Sequence, residues 1–270
     1  MSNSRLGLRT RPGSIRNYTQ GSAGGDADAN LFLEAALITD ATITTAIQQF
    51  VIDLKGYGIW SKMKAIYPFV GGTASAHKFN LKDPRDLDAA FRLVFSGGWT
   101  HSSTGATPNG TNGYADTKLI PSSSLTTSSA HFAKYNRTND LIGTKIDGCS
   151  ASNLFFQHNF TAANTCIGDV SSVASYTPTN TQGFFNATRT SLSVIKLFRN
   201  LSNIANNTST ITALPNISVI LGARNDTGGA SFYNSYECAF ASIGDGLTDQ
   251  EVSDLYTAVN TFQTTLSRNV

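Results

Sequence analysis

Paired carboxylates would be the clearest sign of chemistry in this chain, and glutamate is scarce. Glu34, Glu237 and Glu251 are the only three, and none is followed two residues later by another acid. Retaining glycoside hydrolysis on a strand needs two carboxylates at alternate positions, so that both face one side at short separation. The pair is missing, and no catalytic residue is expected. The histidines, His77, His101, His131 and His158, are dispersed. There is no HExxH and no G-x-S-x-G. The glycine-rich stretches lead into no Walker lysine, so metalloprotease, serine-hydrolase and nucleotide-binding readings find no anchor.

The densest group of acids is DPRDLD, residues 83–88. Pro84 makes it a turn and Arg85 supplies a counter-charge, which reads as a rigid loop with a local ion pair. Calcium held by Asp83, Asp86 and Asp88 is the alternative, since hard cations take oxygen ligands from such loops. Their spacing is not that of an EF-hand. Cys149, Cys166 and Cys238 form no CxxC, so neither a zinc site nor a disulfide framework is implied, and they read as small core residues. No metal ligand set is expected.

Recognition has better material. Sugar sites set an aromatic face beside amide and carboxylate groups that hydrogen-bond hydroxyls. Residues 99–116 carry Trp99, His101, Asn109, Asn112, Tyr114 and Asp116. A second loop carries Asn225, Asp226, Tyr233 and Asn234. Trp99 has two readings, a stacking surface or a core residue that closes the fold.

The elements that must hold these loops follow from periodicity. Residues 26–38 read as a short helix capped by Asp26 or Asn30. Asp40 caps a second, in which Ile43, Ala46, Ile47, Phe50, Val51 and Leu54 recur at helical spacing until Gly56 or Gly58. This helical segment, residues 26–58, is read as a hairpin packed on the body or as an oligomerisation element. From residue 59 the pattern alternates. Strands are expected over 64–70, 78–81, 89–95, 114–120, 130–135, 144–147, 153–159, 166–170, 183–189, 192–198, 210–213, 217–223 and 232–243. The stretch 99–113 is expected to be a long loop. Short strands at this spacing predict a mainly β chain, an antiparallel sandwich over residues 59–270. Gly244-Asp245-Gly246 then ends a strand, and Thr248 to Glu251 form a capping box. The last helix places Val252, Leu255, Tyr256, Val259, Phe262 and Leu266 on one face.

Composition agrees. The 270 residues are 40% hydrophobic, enough for a core without disulfides, while charged residues make up only 14%. Serine, threonine, asparagine and glycine take their place. A net charge of +2 gives no reason to expect nucleic acid. No apolar run reaches the length of a membrane span, and the first residues lack the n-region and h-region of a secretory signal. Residues 1–25 hold Arg5, Arg9, Arg11 and Arg16 and no acid. They read as a flexible basic arm, a plain tail or a docking element for another subunit.

The final strand, IGDGLT turn and TDQEVSDLYTA helix resemble the closing signature of a concanavalin A-like (laminin G-like) jelly roll. SVIKLFRNLS (193–202) resembles that family's strand and Arg-Asn hairpin, and residues 217–226 resemble the strand and loop after it. The block from FNLKDPRDLD to NGYADTKL is similar to a form of the fold found in bacteriophage virion proteins. The resemblance implies a spike, fibre or decoration protein located on the virion, made without secretion. It would be docked to other virion proteins through the arm, as a homotrimer or another symmetric ring. Attachment to a host glycan or receptor is the expected function, and a purely structural decoration or vertex role is the alternative. A laminin G-like rim loop can also bind calcium, but no ligand set matches here.

Overall fold

The computed structural model describes residues 25–160 and 164–270, so the arm expected over 1–25 lies outside the described residues but for Gly25. The chain opens with α1 (Ala27–Ala35) and α2 (Ala41–Gly56), then β1 (Met63–Tyr67) and a single turn, α3 (Ala74–His77). Four strands follow: β2 (Val94–Ser96), β3 (Trp99–Ser102), β4 (Gly105–Pro108) and β5 (Tyr114–Asp116), then α4 (Pro121–Ser124). The middle of the chain is β6 (Ala130–Asn136), β7 (Ile146–Ala151), β8 (Leu154–Asn159), β9 (Asn164–Asp169) and β10 (Val173–Ser175). After it come β11 (Gly183–Ser191), β12 (Val194–Arg199), β13 (Ser202–Asn207) and β14 (Ile220–Leu221). The last elements are β15 (Arg224–Asp226), β16 (Gly229–Ser231), β17 (Cys238–Gly244) and α5 (Asp249–Thr265).

The strands form a two-sheet β-sandwich. One sheet runs β13-β12-β11-β6-β17-β4-β3, with β1 also on β17; the other runs β10-β9-β8-β7-β14-β5-β2, with β15 on β7 and β16 on β15. All pairings are antiparallel except that of β15 with β7. Phe132, Phe156, Ile167, Leu197, Leu221 and Ile243 lie in the core between the sheets. A second core covers the outer face of the β6–β17 sheet, where Tyr135, Phe184 and Phe240 meet α1, α2 and α5. Alternation along β6 and β17 feeds both cores, because successive side chains leave opposite faces.

Local signals work as expected at the helix ends. The Asp26 carboxylate accepts from the Asp28 and Ala29 amides, and that of Asp40 from the Ile43 amide. The Thr248 hydroxyl accepts from the Glu251 amide, and Glu251 accepts from the Thr248 amide at 2.8 Å. Thr248→Ala should cost about 1 kcal/mol in a denaturant titration by leaving the N3 amide without its cap.

Several strand and loop expectations change, that over 232–243 beginning only at Cys238 and that over 217–223 shrinking to Ile220–Leu221. Most of 99–113 is no loop: β3 and β4 form a hairpin, with Trp99 opposite Pro108 and Ser102 opposite Gly105. Residues 78–81 form no strand, because the buried Asn80 side chain takes over the ladder's work. Its amide accepts from the Ile66 amide at 2.8 Å and donates to the Lys64 and Ala90 carbonyls. The 89–95 strand begins only at Val94, since Phe91 turns left-handed (φ 57°), its carbonyl held by the Tyr67 hydroxyl at 2.6 Å. Residues 210–213 form no strand either. Ile211 fills the space left by Gly168, where a Cβ would lie 2.4 Å from its side chain. Cys149 and Cys238 are buried and free, as core residues should be; the Cys166 side chain lies outside the described residues.

Candidate functional site

The two loops singled out in the sequence lie more than a hundred residues apart and meet at one end of the sandwich. A Cβ on Gly222 would sit 3.0 Å from the Trp99 ring, and one on Gly110 would sit 3.5 Å from the Ser235 side chain. Asn234 anchors the junction. It is fully buried, its amide donates to the Gly222 carbonyl at 2.8 Å, and its side chain donates to the Ile146 carbonyl at 2.9 Å.

The first set splits into loop and seal. Asn109 Oδ1 accepts from the amides of Thr111, Asn112 and Gly113, each at 3.0 Å, while its Nδ2 donates to Asn112 Oδ1 at 2.8 Å. Asn112 Oδ1 also accepts from the Gly98 amide at 3.0 Å. Both side chains are exposed, yet these polar atoms are used up in shaping the turn. Gly97 takes φ 68° there, and a Cβ on it would strike the Asn112 carbonyl at 2.1 Å.

Trp99 and His101 lie on the inner face of the edge strand β3. Phe95 packs edge-on against both rings, with centroids at 5.2 and 4.7 Å, and Trp99 Nε1 donates to the Tyr114 carbonyl at 3.2 Å. These rings close the gap between the two sheet edges. Trp99 is half-buried, nearer its core reading than a stacking platform. His101 Nδ1 lies 2.9 Å from Nδ1 of the buried His77. Burial first, then His101 and Arg268, hold His77 down at about 3, and burial also lowers His101, so the pair is neutral near pH 7. Tyr114 is half-buried, and Asp116 pairs with Lys118 at 2.9 Å.

The second set is also internally bonded. Asn225 donates to the Ser218 carbonyl at 2.8 Å, and Asp226 accepts from Arg224 at 2.8 Å and from the Ser231 hydroxyl. Tyr233 is half-buried. Sequence reasoning missed the neighbours that do face outward. Phe232, left-handed at φ 51°, is 42% exposed, and the Arg224 guanidinium lies 4.3 Å from its ring centre. Leu141 and Ile142 are exposed on the adjacent loop, and the Ile146 amide at the start of β7 donates to the Phe232 carbonyl. Only the Gly228-Gly229 turn, which pairs Arg224 with Ser231, hinted that Phe232 stands outside the strand expected over 232–243.

The remaining titratable groups do not converge. In DPRDLD, Arg85 holds Asp83 at 2.7 Å, Lys78 holds Asp86 at 2.5 Å, and Arg92 bridges Asp86 and Asp88 at 2.8 and 3.0 Å. No three His, Cys, Asp or Glu side chains among the described residues gather as a metal site would require. Glu237 pairs with Arg137 and Glu251 with Lys62. The rim thus presents the exposed Phe232 ring with the Arg224 guanidinium over it, beside loops rich in hydroxyl and amide side chains.

No protein-family model matches the chain, and neither does any curated protein. Solved structures do resemble it. Domain 4 of AbnA, a GH43 extracellular arabinanase from Geobacillus stearothermophilus in complex with arabinotriose, is 13% identical (TM-score 0.43), over 72% of this chain and 98% of that one. A Trypanosoma rangeli sialidase mutant displaying trans-sialidase activity is 10% identical (TM-score 0.49), over 81% of this chain but only 39% of the sialidase. The botulinum neurotoxin serotype D binding domain is 7% identical (TM-score 0.42), over 74% of this chain and 52% of that one. At such identities and TM-scores these likenesses carry no inference about what the chain binds.

Proposed function

We propose that the chain is a non-enzymatic bacteriophage virion surface protein, a spike, fibre or decoration component, that attaches to a host glycan or receptor through the rim. The carrying observation is the convergence of residues 97–114 with 222–235, beside an exposed Phe232 backed by Arg224. An exposed aromatic ring with a guanidinium over it suits the apolar face of a pyranose, and the neighbouring loop hydroxyls and amides suit its edge. Among the described residues the helical layer packs on the outer face of the β6–β17 sheet. In this reading the arm engages other virion proteins and the copies form a symmetric ring, trimeric or larger. The site needs no cofactor, and calcium would add to it without being required.

One observation favours the structural alternative, a decoration or vertex protein without a ligand. Asn109 and Asp226 use their polar atoms inside their own loops, and the Asn225 side chain donates to Ser218 before β14. The full chain should therefore be tested for binding to host cells and for competition with particle adsorption. Phe232→Ala should weaken binding roughly tenfold or more with the fold intact, the size of a central aromatic contact. A wild-type chain that neither binds nor competes, yet enters particles only with its arm, would decide for decoration.

A further inference from the structure

A pair of side chains that the rim does not use ties the two sheets across their interior. Lys134 lies on β6, two residues after the inward-facing Phe132, and is 1% exposed; Asp147 on β7 of the other sheet is fully buried. Lys134 Nζ sits 2.5 Å from Asp147 Oδ2, and the Gly222 amide donates to Asp147 Oδ1 at 2.5 Å. The Phe160 and Tyr236 rings stand 5.3 and 5.8 Å from Nζ and exclude water from that side. A buried ion pair is a poor way to stabilise a fold, because desolvating two charges cancels most of their attraction. The same arrangement is well suited to joining the two groups.

We propose that Lys134 and Asp147 condense to an intramolecular amide that links the two sheets covalently. The ammonium gives a proton to Oδ2 along the short contact, and the freed amine attacks Cγ. The Gly222 N–H holds the negative charge that develops on Oδ1, as an oxyanion donor does. A second proton passes from nitrogen to the departing hydroxyl, and one water leaves. One C–N bond forms, one C–O bond breaks, and nothing is oxidised or reduced. Free amines and acids do not condense appreciably in water, but two groups fixed in contact react at effective molarities of about 10⁵–10⁸ M. The dry, aromatic surroundings favour loss of the water that is released.

The neighbouring groups leave this pair to itself. His158 lies opposite Asp147 on β8, but its ring nitrogens are engaged by the Phe132 carbonyl at 2.8 Å and the Thr165 hydroxyl at 3.1 Å. Among the described residues no other carboxylate forms an ion pair with Lys134. The amide therefore needs only Lys134, Asp147 and the Gly222 backbone.

Mass spectrometry of the full chain under denaturing conditions tests this. The expected result is a mass short by one water, with a branched proteolytic fragment joining the peptide of Lys134 to that of Asp147. Lys134→Met and Asp147→Ala should each abolish the branch. If either variant fails to fold, the wild-type fragment map still decides. A folded wild-type chain of full mass, cleaved normally after Lys134, overturns the proposal and leaves a plain buried ion pair.

Discussion

Phe50→Ala is expected to lower stability by about 3–5 kcal/mol, the usual cost of deleting a buried aromatic ring and leaving its cavity. Phe50 is 1% exposed, with ring centroids 5.5 Å from Phe240 on β17 and 5.2 Å from Phe262 on α5. One side chain thus joins α2, the last helix and the outer face of the sheet. Ile52→Ala on the same helix is the control: Ile52 is 47% exposed and should change stability by no more than about 0.5 kcal/mol. Denaturant midpoints of the two variants, with amide exchange of residues 27–56, give the measurement. Equal, small losses would mean that the helices do not share the outer core.

The second large effect is a loss of stability in mild acid. His131 is buried, with Nδ1 2.7 Å from the Asp245 carbonyl and Nε2 3.2 Å from the Ser242 hydroxyl; burial pushes it down to about 4. His158 is likewise held at about 4 and His77 at about 3, in each case chiefly by burial. An unfolded histidine titrates near 6.5. Because the folded values are depressed, the unfolded chain binds protons first. The stabilisation is complete above about pH 6.5 and is lost as pH falls through 4. Each fully buried imidazole contributes on the order of 3 kcal/mol across that window. Urea titrations at pH 7.5, 5.5 and 4.5 should show a steep fall, and His131→Gln should make it shallower. A flat profile would mean that these rings are not held neutral.

What the sequence showed and what it hid divide by the range of the interactions. The caps at Asp26, Asp40 and Thr248 were legible because each is closed within three residues. The face of α2 was legible because burial repeats at helical spacing. Asn80 was opaque: its partners Ile66, Lys64 and Ala90 lie ten to sixteen residues away, so nothing local marks an amide that replaces a strand ladder. The rim was half legible. Its loops were found from composition, but polarity alone cannot tell an asparagine that meets a ligand from one that, like Asn109, folds its own turn. Phe232 passed for an ordinary strand residue because its left-handed backbone is set by the β15–β16 hairpin before it.

The pairing of β17 bears on how this molecule keeps to itself. β6 lines one side of that strand, while on the other side β4 meets Cys238 and β1 covers Ala241 to Gly244. The cover comes from the segment that follows the two helices. A chain beginning after Tyr67 would leave those backbone donors and acceptors bare on a sheet strand, a ready template for strands of neighbouring molecules. The N-terminal portion of the fold is therefore also its guard against polymerisation.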